Sequence, residues 1–139
     1  MDGPLKYAVV ERERRYLLAS LPDGVTSTRH ITDRYVTGTR LRLREVRAAD
    51  GAVVRKLGQK VRLSEGPGEI ACTSCCLDDE EWAVLVALPA RTLRKRRHTV
   101  ARDGWLLAVD EPSDRVPDWL DVVRDVTRDE AWTGGGLAR

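Results

Sequence analysis

The feature of this chain that most constrains its fold is an alternation of apolar and charged residues with a period of two. Leu41 and Leu43 alternate with Arg40, Arg42 and Arg44. Successive side chains of a β-strand point to opposite faces of the sheet, so this pattern predicts a strand with one apolar face and one basic face. The same pattern recurs along most of the chain and indicates a β-rich domain.

Turn residues separate the alternating segments and set the expected order of elements. Asp50-Gly51 and Asp103-Gly104 are strong hairpin signals, Thr37-Gly38 is a further turn, and Pro89 ends a helix. The predicted strands cover residues 7–15, 30–36, 39–46, 52–62, 69–77, 92–100 and 105–110. Helices are predicted over 78–88 and 117–123, a turn of helix or loop over 17–22, a loop over 64–68, and a frayed tail at 134–136.

Short strands joined by tight turns are typical of an antiparallel meander that closes on itself, and no segment alternates strand with helix as a parallel sheet requires. We therefore expect an α+β, mainly β fold. Its centre would be an antiparallel β-barrel, or tunnel, of about seven to eight strands with a few short helices packed outside. The 139 residues fit a single domain over 1–139.

The charged faces of these strands carry more like charge than a solvated face usually does. The residues that share a face are Glu11, Glu13 and Arg15; Arg40, Arg42 and Arg44; Lys56 and Lys60; Lys95 and Arg97. A solvated outer face would explain any one strand, but like charges at neighbouring cross-strand positions repel each other. The recurrence in four strands favours a basic bore that binds a polyanion, because arginine and lysine are the side chains that bind phosphate.

The two acids in the first strand need a separate reason to face a basic bore. Glu11 and Glu13 are two residues apart, so both carboxylates leave the same face of a strand. A hard cation, Mg²⁺ or Mn²⁺, that bridges carboxylate and phosphate oxygens would supply that reason.

Composition excludes several other classes of function. The net charge of +2 does not indicate a nucleic-acid binder, and aromatic residues placed to stack on bases are lacking, so nucleic acid is a disfavoured partner. No apolar run reaches the ~18 residues of a membrane span and no signal peptide is recognisable, so we expect a cytoplasmic protein without a membrane partner. Cys72, Cys75 and Cys76 lack the second ligand cluster of a zinc site, which favours free thiols. A homodimer is compatible with the sequence.

An ordered set of segments also resembles one known family. Glu11-Arg12-Glu13-Arg14-Arg15 opens the set, and the segments that follow are 31–35, 40–44, 56–60, 95–98, 117–120, 126–127 and 137–138. Together they span nearly the whole chain and resemble the CYTH, or triphosphate tunnel metalloenzyme, family, whose signature is glutamate-x-glutamate-x-lysine.

The resemblance implies an eight-stranded tunnel that grips a polyphosphate or an organic phosphate and hydrolyses inorganic triphosphate, thiamine triphosphate or a nucleotide with a divalent metal. It implies that Glu11, Glu13 and Asp110 hold the metal and act in catalysis. The phosphate-binding residues that it implies are Arg15, Arg40, Arg42, Arg44, Lys56, Lys60, Lys95 and Arg97.

The chain departs from the family pattern at three positions where the family carries acids. Cys72, Ser74 and Ala108 stand there, and Asp110 is the acid that remains in the late strand. The hydrolase is therefore expected to be slow, and two alternatives stay open. One is a tunnel that binds a phosphate or nucleotide with lost or repurposed catalysis. The other is an activity like that of an adenylate cyclase.

Overall fold

The computed structural model describes residues 3–64, 68–112 and 124–139. The strands in these ranges are β1 (Val9–Arg12), β2 (Tyr16–Leu17), β3 (Val25–Val36), β4 (Leu41–Arg47), β5 (Val53–Arg62), β6 (Glu69–Cys76), β7 (Ala90–Arg102), β8 (Trp105–Pro112) and β9 (Arg124–Asp125). The helices are α1 (Asp79–Leu85) and α2 (Gly134–Leu137), and 3-10 turns cover Gly3–Leu5 and Glu130–Trp132.

Seven of these strands form one antiparallel sheet in the order β1-β6-β5-β4-β3-β7-β8, and β2 pairs with β9 in a second, two-stranded sheet. The large sheet is curled into a half-barrel, and the few helices are short. The prediction of a mainly β, antiparallel, barrel-like fold is confirmed. Among the described strands, β1 and β8 are the two edges of the half-barrel.

The predicted hairpin turns account for the local connections in the large sheet. Asp103 and Gly104, which join β7 to β8, both have positive φ angles of 51° and 78°. Two successive positive φ angles match the turn type whose twist suits a two-residue hairpin, and aspartate followed by glycine is the sequence that adopts it most readily. The turn at Asp50-Gly51 likewise joins β4 to β5.

Two strand predictions are wrong in their extent. The first strand, predicted over 7–15, is divided, because the backbone leaves the large sheet after Arg12 and Arg15 instead bonds to Thr127. In contrast, β3 starts five residues before the predicted residue 30. After Val25, residues 26–29 are polar on both faces, so the alternation of apolar and polar residues there is too weak to predict a strand.

Helix α1 carries the chain from β6 at one side of the sheet to β7 at the other. Its N-terminus is closed by a capping box, in which Asp78 accepts from the Glu81 amide and Glu81 accepts from the Asp78 amide. Arg34 of β3 donates to the Val86 carbonyl just after the helix, and the Arg55 guanidinium of β5 lies 5.3 Å from the centre of the Trp82 ring. The helix therefore crosses one face of the sheet.

The prediction that residues 134–136 fray is wrong. Residues 124–139, which we call the C-terminal strap, run across one end of the half-barrel. The Val126 amide donates to the Arg15 carbonyl, Glu130 pairs with Arg62 of β5, and Arg139 exchanges two backbone hydrogen bonds with Thr92 of β7. Ala138 is 2% exposed. The predicted helix at 117–123 and part of the predicted loop at 64–68 lie outside the described residues.

Candidate functional site: a basic cavity on the concave face

The inner face of the half-barrel contains a cavity of about 280 Å³ whose charged lining is mostly basic. We call this the concave face and the cavity in it the basic cavity. The charged residues that line it are Glu11, Arg29, Arg42, Arg44, Lys56 and Arg97. They come from five different strands, and no two of the cations are neighbours in sequence.

The pairing register explains why these side chains converge. Residues directly opposite each other in adjacent strands point to the same face of a sheet. Arg44 lies opposite Asp33 on one side and Lys56 on the other. Arg29 lies opposite Arg97. The period-two alternation therefore continues through the register from strand to strand, and it collects the charges on one face.

A fully buried aspartate organises the centre of this face. Asp33 has no exposed side-chain surface, and its two carboxylate oxygens accept from Arg44 Nε and Nη2, each at 2.7 Å. Burial by itself raises the pKa of the Asp33 carboxyl, but the hydrogen bond and charge of Arg44, with the charges of Arg42 and Lys95, outweigh it and leave the pKa lowered. Asp33 is therefore ionised and holds Arg44 in a bidentate pair.

A second aspartate joins two cations of β7. Asp110 of β8 accepts from Lys95 Nζ at 2.8 Å and from Arg97 Nε and Nη2 at 2.7 and 2.9 Å. Burial would raise the pKa of Asp110, but the bonds to Arg97 and the charge of Lys95 lower it well below its usual range. For Lys95 the balance is the opposite, because burial of its ammonium outweighs Asp110 and lowers its pKa.

Three cations of the basic cavity are not matched in this way. Arg42 lies 3.9 Å from Asp33, and its Nε atom is buried without a hydrogen-bond partner in the described structure. Arg29 and Lys56 form no ion pair with any carboxylate among the described residues. Arg42 is half-buried, and an unsatisfied buried donor is costly, whereas the Arg29 and Lys56 side chains are exposed at the cavity. All three therefore have donors available to an anion that enters the cavity.

The structure brings only part of the predicted site together. Five of the predicted residues line the basic cavity: Glu11, Arg42, Arg44, Lys56 and Arg97. Asp110 bonds to Arg97 and to Lys95, so Asp110 and Lys95 are connected to the cavity through Arg97. The Lys60 Nζ atom lies 3.6 Å from a Glu11 carboxylate oxygen.

Arg40, Arg15 and Glu13 lie elsewhere. Arg40 is exposed in the turn before β4, because that strand starts only at Leu41. The Arg15 side chain donates to the Thr127 carbonyl of the C-terminal strap. Glu13 follows the end of β1 and lines a different cavity of mixed charge, together with Arg14 and other residues.

The carboxylates predicted to hold a metal do not form a metal site by themselves. Within the described ranges, no three His, Cys, Asp or Glu side chains are grouped closely enough to hold an ion. Glu11 and Glu13 do not share a cavity, and Asp110 is bound by two cations. These residues do not fit Mg²⁺ or Mn²⁺ without a further ligand, and the metal stays a prediction.

Two residues of the site were not assigned a role from the sequence. Asp33 and Arg29 share the alternation of β3 with Ile31, which lines the basic cavity. Continuing that alternation backward from Asp33 would have found Arg29, but the predicted strand began at residue 30. An aspartate between arginine-rich strands was the available signal for Asp33.

Two of the three positions where acids are missing form part of the cavity wall, and Ala108 of β8 does not line it. Cys72 and Ser74 of β6 line the basic cavity, next to Gly58 of β5. All three cysteines are free thiols, and Cys75 and Cys76 are exposed. This part of the wall is therefore neutral, and the described cavity keeps an excess of positive charge.

None of the helices in the described ranges has the length and apolar character that a membrane crossing needs. Comparison of the whole chain with family models, with curated proteins and with solved structures gives no match to any of the three. The likeness to the CYTH family therefore depends on the motifs in the sequence alone.

Proposed function

We propose that this chain binds an oligophosphate, either free or as part of a small organic phosphate, in the basic cavity. The observation that carries the proposal is the grouping of five cations, Arg29, Arg42, Arg44, Lys56 and Arg97, around one cavity of about 280 Å³. Guanidinium groups bind phosphate oxygens in pairs and an ammonium acts as a point charge, so the set suits a compact ligand with several negative charges.

The charge balance of the cavity supports an anionic ligand. Asp33 and Asp110 offset Arg44 and Arg97, whereas Arg42 and Lys56 have no comparable partner in the described structure. An anion that accepts hydrogen bonds from Arg42 would satisfy its buried Nε and reduce the repulsion among the neighbouring cations.

The uncharged lining supports recognition of the phosphate groups rather than of an organic part. Ile31, Val46 and Gly58 complete the wall between the cations, and no aromatic side chain among the described residues lines the cavity. An aromatic surface is what commonly stacks on a nucleobase. We expect inorganic triphosphate to bind about as well as a nucleoside triphosphate, and we expect DNA to bind weakly.

Calorimetric titration with inorganic triphosphate tests this proposal, and β4 offers a matched pair of variants. Arg42→Ala should weaken binding by about 1–3 kcal/mol, the scale of a lost charge-assisted hydrogen bond. Arg40→Ala removes the same charge two residues earlier, outside the cavity lining, and should change the affinity much less. Equal losses in the two variants would mean that the overall charge attracts the ligand and that the basic cavity does not bind it.

A steric variant tests the same cavity without removing a charge. A Cβ atom at Gly58 would lie 3.8 Å from Arg42 Nη2 and 3.7 Å from the Thr73 carbonyl, so the backbone tolerates a side chain that projects into the cavity. Gly58→Val should therefore fold and should abolish triphosphate binding at concentrations that saturate the wild type. Full binding by a folded Gly58→Val protein would show that the ligand binds elsewhere.

Hydrolysis of the bound phosphate remains part of this proposal because of the family resemblance, and Glu11 is its most direct test. Glu11 is the one predicted metal ligand that lines the basic cavity. Phosphate release from triphosphate and from ATP is measured with Mg²⁺ or Mn²⁺ for the wild type and for Glu11→Gln. Turnover that is lost in the variant supports a hydrolase. Equal background release in both proteins would contradict the hydrolase and leave only the proposal that the domain binds phosphate. The calorimetric titration tests that binding independently of turnover.

A further inference from the structure

A chain of hydrogen bonds joins three side chains that the basic cavity does not use. Thr28 Oγ1 lies 2.8 Å from His98 Nδ1, and His98 Nε2 lies 2.5 Å from Glu111 Oε1. These residues belong to the adjacent strands β3, β7 and β8. Thr28 and His98 are directly opposed in the register, and they lie on the convex face, the face opposite the basic cavity.

The hydrogen-bond partners suit a neutral imidazole that has one donor and one acceptor nitrogen. In that form Nε2 of His98 donates its hydrogen to the Glu111 carboxylate, and Nδ1 accepts the hydroxyl hydrogen of Thr28. The His98 side chain is 8% exposed, and Arg96 Nη2 lies 3.3 Å from the other oxygen of Glu111. The imidazole is therefore held in one orientation, with its basic nitrogen at the hydroxyl.

The backbone beside Thr28 has an unpaired edge within the described structure. Residues 25–29 of β3 pair with β7, whereas β4 pairs with β3 only from His30 onward, so this stretch has one open edge within the described structure. The register between β3 and β7 also shifts between Val25 and Ser27, next to Thr28. Backbone N–H groups at an unpaired strand edge or at a shift in register are free to donate hydrogen bonds, whereas those in a regular ladder are already paired.

We propose that Thr28 is the nucleophile of a second site that reacts with small acyl esters or thioesters. A nucleophilic hydroxyl, a base within hydrogen-bond reach and a third group that orients the base form the arrangement by which side chains activate a weak nucleophile. Thr28 lines neither the basic cavity nor the mixed-charge cavity, and the substrate that we propose for it is a small ester or thioester.

The reaction would proceed in two balanced steps. Thr28 Oγ attacks the carbonyl carbon, its proton passes to His98 Nδ1, and the alcohol or thiol leaves with that proton while an acyl ester forms on Thr28. Water then attacks this ester with His98 as the base, which releases the carboxylic acid and restores the hydroxyl. Glu111 touches neither reactant and is a positioning residue that stabilises the charged imidazole.

The test uses p-nitrophenyl acetate with the full chain, and follows p-nitrophenol release together with acetylation of Thr28 by mass spectrometry of peptides. The wild type should show an initial burst of p-nitrophenol and an acetyl group on Thr28. Thr28→Val should lose the burst, and His98→Gln should slow acetylation about a hundredfold, the contribution of a general base. Thr26→Val is the matched control, because the Thr26 hydroxyl donates to the Thr99 carbonyl and not to a histidine.

Three further variants separate catalysis from structure if His98→Gln fails to fold. Thr28→Ser keeps the hydroxyl and should retain acetylation, and Glu111→Asp should recover more of the rate than Glu111→Gln does. If Thr28, His98 and Glu111 had only a structural role, the acetylation rates of these variants would not follow this order. Acetylation confined to lysines, or a burst of the same size in Thr28→Val, would overturn the proposal.

Discussion

Asp33 and Asp110 hold three of the cations on the concave face, and the two carboxylates differ in burial. Asp33 has no exposed side-chain surface, whereas the side chain of Asp110 is 31% exposed. Asp33 therefore acts as part of the protein interior. Asp110 lies where a ligand from solution can compete with it for Arg97.

Replacing Asp33 should destabilise the protein strongly. Asp33→Asn leaves Arg44 buried without its counter-charge, which costs about 3–5 kcal/mol for a buried pair. Urea unfolding at neutral pH measures the loss. Asp23→Asn, at an exposed loop aspartate, is the control and should change the unfolding free energy by less than about 0.5 kcal/mol. A mild effect at Asp33 would mean that Arg44 finds another partner.

The same aspartate predicts how stability depends on pH. The pKa of Asp33 is lowered in the folded protein, so its stabilisation is fully present above the ordinary carboxyl pKa of about 4 and is lost as the pH falls toward the lowered value. We expect the wild type to lose stability between roughly pH 5 and pH 3, and Asp33→Asn to lose less over that interval. Parallel curves for the two proteins would assign the acid sensitivity to other carboxyl groups.

Asp110 occupies the donors of Lys95 and Arg97 that a phosphate group would use. Asp110→Asn should therefore increase the affinity for inorganic triphosphate about tenfold, which is about 1.4 kcal/mol, because it removes a competing negative charge. Asp103→Asn removes a charge from the turn of the same hairpin and is the matched control. A weaker affinity in Asp110→Asn would instead show that Asp110 positions the two cations for the ligand.

At the scale of elements, the central strands are predictable from sequence and the ends of the chain are not. β4, β5 and β7 alternate strongly and end at turn residues, so their predicted and observed limits differ by two residues or fewer. Glycine-rich residues 134–136 carry no periodic signal. Their helical turn is held by contacts with distant strands, which local sequence patterns do not report.

Two neighbouring glycines of the C-terminal strap make that packing testable. A Cβ atom at Gly134 would overlap the hydroxyl of Tyr35, a half-buried side chain, whereas one at Gly135 would have only ordinary contacts near 4 Å. Gly134→Ala should lower the unfolding free energy by about 1–3 kcal/mol through overpacking. Gly135→Ala should be near neutral or slightly stabilising. Thermal unfolding of both variants measures the difference, and equal effects would show that α2 does not pack against Tyr35 in solution.

At the scale of the whole molecule, the sequence predicts the positive charge of the concave face better than it predicts the arrangement of the candidate metal ligands. Alternation predicts which residues share a face of a strand, and this placed Arg42, Arg44, Lys56 and Arg97 correctly on one side. It does not report where a strand ends, and Glu13 lies just past the end of β1. For that reason Glu11 and Glu13, which the alternation predicts on one face, line different cavities.

The route of the C-terminal strap has a consequence for the order of folding during synthesis. Strands β3, β4, β5 and β6 follow one another closely in sequence and pair in that order, so each can pair with its predecessor as soon as it emerges. In contrast, the contact between Arg15 and Thr127 spans 112 positions of sequence. The pairing of Thr92 with Arg139 cannot form until residue 139 has been synthesised. Contacts of such long range form slowly because the loop between them must first be closed. A nascent chain that stops before residue 124 would therefore expose that end of the sheet, and pulling on residue 139 should detach the strap before the sheet unfolds.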